Sequence, residues 1–187
     1  MKMSIMARIL LLATGLLAAY MVAVGIEGFS TVSILAYTVA FGVLLVAGLL
    51  LLILGFEVLD SPLVVIVSTI IPLALALGLI WQYFPAWQIP YLVFVILGFL
   101  AVVITRAARL RSKLPTLVLA LVHGVAGLTI FILPIWLAFS GLIKPAFSLV
   151  GIGGALIGVL GASFLLKFIV YEGWVFARRS IVTRGPE

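Results

Sequence analysis

The residue with the widest chemical range is His123, in LALVHGVAGLTIFILPIW (119–136), the single histidine of the chain. An imidazole can serve as a base, a metal ligand, a proton relay or a plain hydrogen-bonding group. Its surroundings narrow that choice. The chain has no cysteine, so disulfide, thiolate-ligand and cysteine redox chemistry are excluded. Hydrolytic metal sites take about three N, O or S ligands, which one histidine without cysteine does not supply. His123 could act as base for Ser68, Ser148 or Ser163 on another helix, but no elbow-like motif surrounds those serines. A glycine-rich phosphate loop with its lysine is also missing. These residues argue against an enzyme acting alone. In FEVLDSPLV, Ser61 or Asp60 can N-cap a helix with Pro62 at its first position. Glu57 and Asp60 read first as cap and surface ion-pair residues, with a cation or proton entry site as the sharper alternative. Glu27 reads as a turn residue.

The elements that position these residues follow from composition. Of 187 residues, 66% are hydrophobic and 9% charged, and mean hydropathy is +1.50. Soluble domains carry about a quarter charged residues. The few charges lie between apolar runs of transmembrane length, and continuous runs favour helices over an alternating barrel pattern. The sequence therefore predicts an all-α integral membrane protein, a six-transmembrane-helix bundle forming a single domain. Its spans cover about 7–26, 32–55, 62–81, 91–105, 115–139 and 147–170, followed by a basic interfacial tail, 171–187. The stretch QYFPAWQIP (82–90) reads as a loop. The short fourth span is expected to borrow a turn from its basic end. The chain contains no Asn and only Gln82 and Gln88 as amides. That is a hyperthermophile trend and equally the habit of very apolar chains.

Lysine and arginine set the expected orientation. With both termini cytoplasmic (N-in/C-in), that side holds Lys2, Arg8, Arg106, Arg109, Arg111, Lys113, Lys167, Arg178, Arg179 and Arg184, and the other side holds only Lys144. Such an asymmetry is the positive-inside signal. No small-residue cleavage site follows Lys2 and Arg8, so the first span is expected to remain in the membrane. The patch Arg106, Arg109, Arg111 and Lys113 is expected to set topology and meet anionic lipid at the cytoplasmic face, or else to dock an acidic partner subunit. Arg106, Arg109 and Lys113 would share one face if the helix continued through them. A voltage sensor needs charges through a span, not at its end. Nucleic acid is not an expected partner, since no soluble domain presents a groove-binding element.

Small residues form the other pattern. Gly151, Gly154, Gly158 and Gly161 recur along the sixth span. Glycine costs about 1 kcal/mol in a helix interior relative to alanine, so the stripe implies close approach of another helix, inside the chain or in another subunit. Gly15, Ala19 and Ala23 make a second stripe, and Gly124 with Gly127 a third beside His123. Pro72 and Pro134 interrupt the third and fifth spans, where each frees a carbonyl.

His123 lies about nine residues into its span, or roughly 13 Å along the axis, near the middle of the hydrocarbon core. The simplest reading is a hydrogen bond to a serine, threonine or backbone carbonyl of a neighbouring helix. Contact with a haem or quinone and a proton relay are the alternatives. No cofactor of its own is expected. A haem or quinone shared with a partner subunit is compatible with one histidine, since a bis-histidine haem needs a second chain. The function these features point to is a non-catalytic, accessory subunit of a larger membrane complex, respiratory or energy-converting, in the plasma membrane. The alternative is a small oligomeric transporter or channel for a weakly polar substrate. Partners are expected to be other membrane subunits, or further copies of the chain, joined through the glycine seams.

Overall fold

The computed structural model describes residues 4–25, 27–55, 57–58, 61–108 and 113–159, and these are helical apart from short connections. Five helices are long and apolar enough to cross a membrane: α1 (Ile5–Val24), α2 (Thr31–Leu54), α3 (Pro62–Tyr83), α4 (Gln88–Ala107) and α5 (Leu114–Phe139). A sixth apolar helix, α6, is described over Pro145–Val159, opening with a 3-10 turn at Pro145–Phe147. The rest of the expected sixth span and the tail 171–187 lie outside the described residues. Local chemistry fixes the ends. Ser4 and Ser30 accept hydrogen bonds from the N–H groups of Ala7 and Ser33 at 3.2 and 3.3 Å, as N-cap side chains do. Gly25 and Gly55 close α1 and α2 at φ of 71° and 79°, a region that residues with a Cβ avoid. Ser61 stands at the N-cap of α3 and Pro62 at its start, but the serine side chain makes no capping bond. The Pro62 ring already presets the first turn.

Two boundaries differ from the sequence expectation. Residues 82–90 are almost wholly helical: α3 runs through Tyr83, a 3-10 turn occupies Pro85–Trp87, and α4 starts at Gln88. Pro90 thus falls in the first turn of α4, where its missing N–H loses no helical bond. The fourth span reaches full length from both ends rather than from the basic end alone. At that basic end α4 stops at Ala107, and Lys113 is the residue before α5, with Pro115 in its first turn. Arg106 and Lys113 therefore belong to different helices, and Arg109 between them lies outside the described residues.

Short connections make successive helices antiparallel. One end of the bundle then carries the start of α1, the end of α2, the start of α3, the end of α4 and the start of α5. This is the basic end, with Arg8, Arg106 and Lys113. The opposite end carries Lys144 and the aromatic residues. Helix α3 packs on α2, α4 and α5, whereas α1 packs on α2. The core accordingly gathers around α3, with Leu73, Ala76 and Leu79 meeting Tyr37 of α2, Val102 of α4 and Val122 and Ala126 of α5. Both Pro72 and Pro134 sit inside continuous helices.

Candidate functional site

Of the glycines in the described chain, Gly151 and Gly154 of α6 lie tightest against a neighbouring helix, α5. A Cβ built on Gly151 would fall 2.6 Å from the carbonyl oxygen of Phe131 and 2.7 Å from Cγ1 of Ile135, and one on Gly154 would fall 2.9 Å from Cγ2 of Ile130. Pro134 contributes to this geometry. Having no N–H, it leaves the carbonyl of Ile130 without its usual helical donor, so the backbone is laid open where the glycines press. The Phe131 carbonyl beside Gly151 suits a Cα–H···O contact of the kind found at tight helix crossings. The first half of the stripe thus has its partner inside the chain. At Gly158 a Cβ would meet nothing within 4 Å, and Gly161 lies outside the described residues.

The stripe on α1 is looser and turned by one residue. Gly15 and Ala18 are buried against α2, Ala19 is half-buried and Ala23 is exposed. A Cβ on Gly15 would sit 3.7 Å from Leu45, and the facing Gly48 would sit 3.9 Å from the Leu11 carbonyl. Both are ordinary contacts. Gly124 and Gly127 face open space, with nothing within 4 Å of either Cβ position.

His123 is half-buried, and its Nδ1 lies 3.2 Å from the carbonyl oxygen of Leu119, one turn back on its own helix. The expected neighbouring-helix partner is replaced by a local one, because an i−4 carbonyl is within reach of a short side chain on the same face. His123, Gly127 and Ile130 follow the i, i+4, i+7 spacing, so the imidazole lies on the α5 face that α6 covers at Ile130. Ser68 bonds Val65 O, while Ser148 bonds Pro145 O. Neither is joined to His123. Among the described residues, no three His, Asp or Glu side chains come together as a metal site.

At the basic end, Arg106 is half-buried, and its Nε is sealed from solvent without a hydrogen-bond partner. Lys113 is exposed, as are Glu57 and, at the other end, Glu27. Arg109, Arg111 and Asp60 lie outside the described residues.

The aromatic end contains features that motif reading missed. Phe29, Tyr37, Tyr83 and Phe147 draw α2, α3 and α6 together, with ring centroids 5.8 to 6.5 Å apart. The Tyr37 ring packs on Gly78 so closely that a Cβ there would lie 3.0 Å from it, and the Tyr37 hydroxyl is buried without a partner. Both glutamines bridge helix ends. Gln82 Oε1 accepts from the N–H of Ser30 at 2.8 Å, and Gln88 Nε2 donates to Trp81 O at 2.9 Å. Their scarcity in the sequence was the available signal. Between α3, α4 and α5 a shallow cleft of about 470 Å³ is lined by Ile80, Phe84, Trp87, Tyr91, Phe94 and Val125. The Tyr91 hydroxyl donates to Thr129 Oγ1 at 3.1 Å. His123 does not line this cleft.

Five helices of spanning length, joined by short connections and packed through small residues, make this chain a multi-pass α-helical membrane protein. No protein-family model, curated protein or solved structure matches it.

Proposed function

We propose that the chain is a non-catalytic subunit of a larger complex in the plasma membrane, of the respiratory or energy-converting class, where it supplies helix surface rather than a reaction centre. The observation that carries this reading is where the polar groups of the spans turn. Thr14, Ser68, Thr69, Thr105 and Thr129 each donate to a carbonyl three or four residues back on their own helix, and His123 meets Leu119 O in the same way. Side chains bonded in this manner are satisfied on their own helix, with Thr129 also accepting from Tyr91 of α4, and the spans meet through largely apolar faces. A transport path is built from the opposite arrangement, polar groups converging on a common lumen. The proposed orientation places the basic end in the cytoplasm, supported by the asymmetry of lysine and arginine.

Gentle solubilisation followed by mass spectrometry tests the reading. Co-purification of other membrane subunits in fixed stoichiometry is the expected result. A homo-oligomer alone would overturn it in favour of the transporter or channel. Orientation has its own test, since cysteines placed at Ser4 and Ser140 should label from opposite sides, Ser4 from the cytoplasm. Labelling of both from one side overturns the antiparallel arrangement.

A further inference from the structure

Among the described residues, the basic end contains a cation without a counterion, Arg106. Arg106 stands in the last turn of α4, next to Thr105, which is 7% exposed, and one turn beyond Val102, which is fully buried. Thr105 does not serve it, since its hydroxyl donates to Ala101 O at 2.7 Å. The Nε of Arg106 is sealed and unpartnered, and no carboxylate among the described residues pairs with the guanidinium. A buried donor left unpaired costs about 1–3 kcal/mol, and more when it carries charge. The negative end of the α4 dipole offsets part of this, but none of the last carbonyls of the helix accepts from Nε.

We propose that Arg106 anchors the phosphate of an anionic bilayer phospholipid where α4 ends and α5 begins. Three observations favour this occupant. The last turn of a spanning helix places a basic side chain at headgroup level. A guanidinium matches phosphate through two parallel N–H···O bonds, and turning the Arg106 edge outward gives its Nε the acceptor that it lacks. The exposed Lys113, the residue before α5, adds positive charge at the same end of the bundle. Basic pockets between spanning helices on the cytoplasmic side hold anionic headgroups in this way. The proposal deepens the membrane-subunit reading and rests on it only for the leaflet involved, because the site belongs to this chain alone.

Native mass spectrometry of the full-length protein in detergent, titrated separately with phosphatidylglycerol and phosphatidylcholine, tests the site. The wild type should retain one phosphatidylglycerol in preference to phosphatidylcholine, and Arg106→Gln should weaken that retention about tenfold or more. Arg106→Lys keeps the charge but loses the fork, so it should fall between the two. Lys113→Gln should have the smaller effect. Thermal melting in phosphatidylcholine alone monitors folding, and Arg106→Lys carries the test if Arg106→Gln does not fold. Equal phosphatidylglycerol retention in the wild type and both Arg106 variants would overturn the proposal. So would displacement of the lipid by millimolar inorganic phosphate, which would assign the site to the free ion. A chain that purifies without partner subunits yet keeps its phosphatidylglycerol would sink the subunit reading and leave the lipid site standing.

Discussion

The two glycine-bearing seams, α5–α6 and α1–α2, read almost alike in sequence and differ in the structure. At α5–α6 the helix backbones approach so closely that a single methyl on Gly151 would overlap the Phe131 carbonyl oxygen at 2.6 Å. At α1–α2 the same methyl on Gly15 would find a Leu45 methyl at 3.7 Å, an ordinary contact. What separates them is the opposing surface. At Gly151 it is the Phe131 carbonyl, one residue past the Ile130 carbonyl that Pro134 leaves without a helical donor, whereas at Gly15 it is the flexible side chain of Leu45. A small-residue stripe thus indicates that a helix can come close. The partner surface decides whether it does.

The largest expected effect follows from that contrast. Gly151→Ala must displace backbone rather than a side-chain tip, so it should destabilise the protein by about 1–3 kcal/mol in spite of the better helix propensity of alanine. Gly154→Ala should behave similarly but less severely, since a side-chain methyl of Ile130 is its nearest obstacle. Thermal or denaturant unfolding in a fixed detergent measures both. Unchanged stability in Gly151→Ala would mean that α6 does not approach α5 as closely as described.

Between the two seams stands Gly78, whose added methyl would meet the Tyr37 ring at 3.0 Å. The obstacle is a side chain, but a buried one held beside Phe29 at 5.8 Å. Gly78→Ala should therefore cost about 1 kcal/mol, less than Gly151→Ala and more than any change at the α1–α2 seam. The double variant Gly78→Ala/Tyr37→Leu sharpens the point. If ring crowding is the cause, the cost of the alanine should shrink when the ring is removed.

His123→Gln comes next in size. The imidazole is half-buried and bonded to its own helix, so losing that contact should cost about 1 kcal/mol or less. A wild-type Soret band that disappears in His123→Gln would replace the packing role with haem ligation, because glutamine is a far poorer ligand than imidazole.

The starts of five spans and the ends of most were legible within a few residues, because the hydrophobic run sets helix length directly. Residues 82–90 were misread for a specific reason. Proline and aromatic residues signal a loop in water, but Pro90 occupies the first turn of α4, where proline is tolerated. Arg106 and Lys113 fall on different helices because α4 ends at Ala107, and charge spacing alone does not reveal where a helix stops. At the candidate sites, the sequence singled out Gly151 and Gly154 but could not separate them from Gly158. That distinction depends on where α6 crosses α5, a tertiary fact with no local signature. The glutamine bridges and the Tyr37–Gly78 contact were missed because their partners lie on other elements.

The smallest expected effect is at the α1–α2 seam, and its sign is the informative part. Gly15→Ala places a methyl in ordinary contact with Leu45, whose own methyl can shift by a rotamer adjustment. No backbone has to move. The substitution removes a glycine from the interior of a helix, worth up to about 1 kcal/mol in favour of alanine, and adds a little buried apolar surface. The two terms point the same way, so Gly15→Ala should leave stability unchanged or slightly raised. Gly158→Leu should likewise be tolerated in the isolated chain, since its Cβ position is open. The comparison can then be carried beyond the single chain. If Gly158 faces another subunit in the assembled complex, Gly158→Leu should leave the melting of the purified chain unchanged while reducing recovery of the co-purifying subunits. Loss of stability at Gly15→Ala equal to that at Gly151→Ala would erase the distinction between the seams and return both to one kind of glycine packing.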